Sequence, residues 1–265
     1  MSKTITYRPD KKVLKKTGII KDQKGIINRF LREKQHWQTH LEHTQNYITQ
    51  SAAHKKKHIA VILGSGWLLD IPLQRLAQMF DVVHLYDIYH PPQIVKKVKK
   101  YTNVKLFQTD ITGGKIQLAY EVMRQFRRKK EKSLPAIFDQ GEFQLSYKPD
   151  LVVSCNILTQ LNTLITSFLK RKPIYTDQEL KTIATSIQEQ HIKFLEQQNG
   201  CIISEYEEEL HDKNNNLSGI KPLLHTKLPE GSNNQKWQWK FDTKMIYREN
   251  FKTYFNIIAK DLQKK

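Results

Sequence analysis

Four apolar runs in this chain each end in residues suited to holding a nucleotide-like ligand. The first closes on Gly64-Ser65-Gly66, the second on Asp87, the third on Asp110 and the fourth on Asn156. Glycines after an apolar run let the chain turn sharply and let a ligand approach the backbone, while N–H groups at a following helix start attract negative charge. Asp87 lies 21 positions after Gly66. A carboxylate about 20 residues beyond such a loop can accept both hydroxyl hydrogens of a ribose. Capping of the next helix would account for any one of Asp87, Asp110 and Asn156. It accounts less well for the series, because polar ends of successive parallel strands share the sheet edge where α/β proteins bind ligands.

Residues 58–63, 81–87, 103–110 and 150–156 read as the buried strands that position these groups, since short continuous apolar runs are the mark of a parallel sheet. Residues 69–80, 91–101 and 115–132 read as crossover helices, with Pro72 and Pro91-Pro92 suited to helix starts. Residues 133–149 form an irregular connection. Helical patterns follow over 157–170 and 176–198, Gly200 stops the second, and 201–206 is a fifth strand. Glu205, Glu207, Glu208 and Glu209 then form an acidic patch, read as a solvated loop ahead of recognising a cationic substrate or acting as a base. Residues 210–235 are expected as a variable loop. Residues 236–246, where Trp237, Trp239 and Phe241 alternate, and 251–259 are expected as antiparallel sixth and seventh strands, although Phe251, Tyr254, Phe255 and Ile258 also fit a helix. Upstream, a basic mobile segment to about Lys21 precedes a helix over 22–52 that packs on the sheet and covers the ligand cleft. His36, His40 and His43 on it have a metal-compatible spacing, but no carboxylate pattern or cysteine accompanies them and no metal is assigned.

On the residues of 58–113 and 150–161 the chain resembles the class I S-adenosylmethionine-dependent methyltransferases. The resemblance implies a three-layer Rossmann-like α/β sandwich with a mainly parallel seven-stranded sheet, an antiparallel C-terminal strand and an N-terminal helical extension, divided as residues 1–57 and 58–265. It implies S-adenosyl-L-methionine as cofactor, with Gly64, Ser65 and Gly66 at its methionine end, Asp87 and Ile88 at the ribose, Asp110 and Ile111 on the adenine side, and Asn156 facing the transferable methyl. Gln160, one helical turn later, and His90, just past Asp87, are the substrate-side candidates. No residue is assigned as catalytic. Two positions depart from the family: its acid two residues before the first glycine is Ile62 here, and its third glycine is Leu68. Asp70 could replace the missing carboxylate or sit as a structural charge at a helix start. Ser154-Cys155-Asn156-Ile157-Leu158-Thr159 is not the Asn-Pro-Pro-aromatic motif of enzymes that methylate exocyclic base amines. The implied mechanism is in-line attack by a nucleophile on the sulfonium methyl, with positioning and exclusion of water supplying most of the catalysis.

Composition sets the outer bounds. A chain of 265 residues with 38% apolar content can bury one α/β core and an appendage. Cys155 and Cys201 read as reduced core residues, and the basic start without an apolar block makes the cytoplasm the default and a membrane site unexpected. The formal net charge is +18, with 14 Lys or Arg against four acids before residue 58, and clusters at Lys96, Lys97, Lys99, Lys100 and from Arg124 to Lys132. Such clusters can neutralise phosphates. Yet 35 of the 44 basic residues are Lys, so a solvated face is the favoured reading and a nucleic-acid partner the lesser one. The methyl acceptor, whether small molecule, protein or RNA, is not fixed. The absence of G-x-x-x-x-G-K-[ST], G-x-S-x-G and H-E-x-x-H disfavours common NTPases, hydrolases and zinc peptidases. A methyltransferase-like binding module without catalysis and a nicotinamide-dinucleotide oxidoreductase are the alternatives. Against the latter, its third loop glycine would be Leu69, and no substrate domain is evident.

Overall fold

A computed structural model describes residues 7–263. The strands are β1 (Ile59–Leu63), β2 (Val82–Asp87), β3 (Val104–Gln108), β4 (Leu151–Cys155), β5 (Cys201–His211), β6 (Leu217–Pro222), β7 (Gly231–Asp242) and β8 (Lys252–Leu262). They lie in the order β3-β2-β1-β4-β5-β8-β7, with β6 added beside β5. Strands β1 to β5 are mutually parallel, β8 runs antiparallel to β5, and β7 runs antiparallel to β8. This is the Rossmann-like arrangement with an antiparallel C-terminal strand that the resemblance implies. The eighth strand corrects the expected loop: β5 runs on past residue 206 and pairs with β6 in a hairpin. Ladder pairing with β7 and β5 also decides the last element as a strand, where periodicity left a helix open.

Helices cover both faces. On one, α2 (Ile19–Ala53), α3 (Leu73–Met79) and α4 (Pro92–Val98) enclose a core that includes Trp37, Tyr47, Leu76, Ile94, Ile62 and Leu85. On the other, α1 (Lys11–Thr17), α5 (Lys115–Lys129), α6 (Leu158–Leu169) and α7 (Asp177–Gln197) enclose Leu14, Ile116, Leu161, Ile187, Val61 and Leu63. Ile62 facing one core while Val61 and Leu63 face the other is the period-two alternation of a strand buried on both sides. Helix α7 starts with a capping box, Thr176 accepting from the Glu179 N–H while the Glu179 carboxylate accepts from the Thr176 N–H.

The N-terminus differs from expectation. Residues 11–17 are helical and bury Val13, Leu14 and Thr17, so this stretch is docked rather than mobile; residues 1–6 lie outside the described residues. Gly18, at φ 102°, joins α1 to α2 with a left-handed backbone that glycine adopts without strain. Helix α2 packs on β7, where Trp37 stacks on Phe241 at 5.5 Å and donates from Nε1 to the Phe241 carbonyl at 3.0 Å. Among the described residues no helix is long and apolar enough to cross a membrane.

Candidate functional site

A cavity of about 560 Å³ opens at the C-terminal ends of β1, β2, β4 and β5, beneath the first turns of α2. That volume falls within the ~300–1,000 Å³ of small-molecule sites. Gly64, Ser65, Gly66, Asp70, Asp87, Asn156 and Gln160 all line it.

The loop after β1 is shaped by its backbone. Gly64 has φ 82°, and a Cβ there would meet the Cys155 carbonyl oxygen and Ile157 Cβ, each at 2.8 Å. Any side chain would therefore push β1 away from β4. Leu68, where the family pattern has glycine, also has a positive φ of 53° while its side chain is buried. The left-handed turn is thus retained with a leucine in it, a conformation that costs a non-glycine residue about 1–2 kcal/mol.

Asp87 is buried and reaches back to the loop: Oδ2 accepts from the Gly66 N–H at 2.8 Å and Oδ1 from the Tyr89 N–H at 3.2 Å. Burial raises its carboxyl to about 6, against the lowering effect of those N–H groups. Asp70 is not at a helix start, since α3 begins at Leu73. It instead accepts from Asn156 Nδ2 at 2.7 Å, which places a carboxylate in the cavity. Ile62 points into the α2-side core. Asn156 adopts a left-handed φ of 48°, which asparagine tolerates, and its Nδ2 also contacts His40 Nε2 at 3.2 Å.

Other candidates lie elsewhere. Asp110 is committed to the start of α5: Oδ1 accepts from the Thr112 N–H and hydroxyl, and Oδ2 from the Ile116 N–H at 3.0 Å. The segment at Tyr7 crosses the end of β3, its carbonyl accepting from the Asp110 N–H at 2.6 Å. Neither Asp110 nor Ile111 lines the cavity; Ile111 belongs to the α5-side core. Ile88 also packs against that core. His90 is buried against Ser65, Nε2 to Oγ at 3.0 Å, with desolvation holding its imidazole down at about 4, and it does not line the cavity. His40 stacks on Trp239 at 4.0 Å and accepts from Trp237 Nε1 at 3.0 Å. His43 stacks on Trp237 at 5.4 Å while His36 is exposed, and among the described residues no group of three or more His, Cys, Asp or Glu could hold a metal ion.

The acidic patch is where sequence reasoning fell short. Glu205 and Glu208 are 4% and 2% exposed and line the cavity, so they are not part of a solvated loop. Glu208 receives Arg248 through Nε at 2.8 Å and Nη2 at 3.1 Å. Glu205 accepts from Thr159 Oγ1 at 3.0 Å, and burial pushes its carboxyl up to about 7. Trp37, Trp239, Phe241, Tyr247 and Phe255 form the wall beside them. The alternating tryptophans of β7 were the sequence signal for that wall; Thr159 and Arg248 gave none.

No family model matches the chain, and no curated relative matches it. Among solved structures it is similar to the N-methyltransferase NodS from Bradyrhizobium japonicum, at 12% identity over 83% of this chain and 95% of that one, with a TM-score of 0.38. It is also similar to 1,6-didemethyltoxoflavin-N1-methyltransferase from Burkholderia thailandensis, at 9% identity over 91% and 87%, TM-score 0.38. Human N-acetylserotonin methyltransferase bound to S-adenosylmethionine aligns at 12% identity over 96% and 60%, TM-score 0.33. Likenesses this distant say nothing about the chemistry of this chain.

Proposed function

We propose that the chain is an S-adenosylmethionine-dependent methyltransferase acting on a small molecule. The observation that carries this reading is the single cavity in which a glycine loop, a ribose-type carboxylate and an aromatic acceptor wall meet at the strand ends of a β3-β2-β1-β4-β5-β8-β7 sheet. The residues present fit the cofactor's ribosyl and amino-acid parts. Each Asp87 oxygen has spare lone pairs beyond its backbone N–H, enough for two ribose hydroxyls. Asp70, oriented by Asn156, supplies the carboxylate for an ammonium group that Ile62 does not. Bound, the cofactor brings an activated sulfonium methyl. The chain's share is to hold the acceptor in line with it and keep water out, with Asn156 and Gln160 at the junction and α2 as cover. Two buried free thiols, Cys155 and Cys201, suit the cytoplasmic setting that we assign with this function.

Thermal unfolding in the presence of S-adenosylhomocysteine and of NAD tests the reading. A ligand at a hundred times its Kd stabilises by about 2.7 kcal/mol, so the homocysteine compound should raise the midpoint by several degrees and NAD should leave it in place. A shift with NAD alone would make the protein a dinucleotide binder.

A further inference from the structure

The end of the cavity away from the glycine loop is built to receive a cation. Its wall is aromatic, with Trp239 and Phe241 edge to face at 4.8 Å, and it lies beside buried carboxylates. The carboxylates of the whole cavity divide into two sets, the first including Asp22, which is exposed and faces the charges of Lys21, Arg171 and Arg29. Glu208 is neutralised by Arg248, and Asp87 is tied to backbone N–H groups. Among the described residues no basic side chain forms an ion pair with Glu205 or Asp70: Asp70, assigned above to the cofactor's ammonium, has Asn156 and Cys155 as side-chain donors, and Glu205 has only Thr159 and is left for the acceptor.

The cavity's own cations are committed elsewhere. Arg171 donates to the Lys16 and Thr17 carbonyls, Arg29 lies over the Phe241 and Tyr247 rings at 4.3 and 4.6 Å, and Lys21 and Lys221 are exposed. Two more polar atoms in the lining await a partner: Asn156 Oδ1 and Trp239 Nε1 make no hydrogen bond, on side chains of residues each 7% exposed. Buried unpaired polar atoms are costly, and their collection around one cavity is the mark of a ligand site.

Resting on the methyl-transfer reading, we propose that the acceptor is a small arylalkylamine, its ring within the aromatic-lined part of the cavity and its nitrogen against Glu205, which acts as the base. An ammonium nitrogen has no lone pair to attack with, so its proton passes to the Glu205 carboxylate. The freed pair forms the new C–N bond as the methyl's C–S bond breaks and its electron pair returns to sulfur. The product is a methylated ammonium and a neutral thioether, and Glu205 releases its proton to water. With its carboxyl held at about 7, Glu205 is matched to that exchange at neutral pH.

Phenethylamine, phenethyl alcohol and 3-phenylpropionate, probes of similar size, separate the possibilities by calorimetric titration into the full chain with and without S-adenosylhomocysteine. The amine should bind at least tenfold more tightly than either of the others. Glu205→Gln, which keeps the volume and an acceptor for Thr159, should abolish that preference while its circular dichroism spectrum and S-adenosylhomocysteine affinity stay as in the wild type. No binding of the amine, equal binding of the alcohol or the acid, or an unchanged preference in Glu205→Gln would each overturn the proposal. The wild-type ranking decides the matter even where the variant fails to fold. Amine preference without S-adenosylhomocysteine binding would instead sink the methyl-transfer reading and leave the amine site standing.

Discussion

Asp87 is pulled in two directions: burial favours its neutral form, while the Gly66 and Tyr89 N–H groups favour the carboxylate, and burial wins by holding the group at about 6. A carboxyl raised in the folded state binds more protons there than when unfolded, so its effect on stability is unfavourable once pH rises through the interval from 3.8 to about 6. The stability of Asp87→Asn relative to wild type should therefore climb over that interval and level off above it, as read from urea titrations at a series of pH values. His40 has the opposite sign. Desolvation lowers it from 6.5 to about 3, so what it contributes is present above 6.5 and is lost as pH falls toward 3. The stability gap between wild type and His40→Gln should narrow on acidification, and a gap independent of pH would mean that the imidazole is not buried neutral. At this scale the sequence was legible where a group ends a strand and faces the cavity, as for Asp87 and Asn156. It was not where a neighbour's backbone claims the group: the Tyr7 crossing and the α5 start that occupy Asp110 are invisible in a local motif.

Among the elements, α2 lines one side of the cavity with residues from Lys21 to Leu41. Its periodic apolar positions made the helix readable, but what it covers is set by contacts some 200 residues away, such as Trp37 to Phe241 and Arg32 to Asp242 at 3.0 Å. Trp37 is almost fully buried and edge-on to Trp239 at 4.7 Å. Trp37→Ala should cost about 3–5 kcal/mol in chemical denaturation, the range for a core aromatic, and a loss below 1 kcal/mol would show that α2 is only loosely docked. The β5 strand was misread for a related reason. Glu-Tyr-Glu-Glu-Glu looks solvated by composition, yet pairing with β8, a bulge between Glu205 and Glu207, and Arg248 from the β7–β8 connection turn Glu205 and Glu208 inward.

For the whole molecule, the strand ends gave the parallel strands and the resemblance implied the sheet architecture, while the extra hairpin of β5 and β6 was not legible, because its exposed strand lacks an apolar signature. Two of the basic clusters can be placed on the fold. Lys96, Lys97, Lys99 and Lys100 are exposed on the α4 side, whereas Arg124, Arg127, Arg128, Lys129 and Lys130 are exposed on the α5 side. These two clusters therefore lie on opposite faces of the sheet. Fluorescence anisotropy with RNA and DNA at near-physiological salt should find nothing tighter than the ~10⁻⁴ to 10⁻⁶ M of non-specific association. A tight, selective complex would make a nucleic acid the acceptor. The claim that the strand-end cavity is a cofactor site is tested most directly by calorimetric titration of wild type and Asp87→Ala with S-adenosylhomocysteine. One site per chain should bind, weakened in the variant by at least ~1.5 kcal/mol, since hydrogen bonds to a charged group contribute roughly 1.5–3 kcal/mol. No binding by the wild type, or equal affinity in the two proteins, would contradict it.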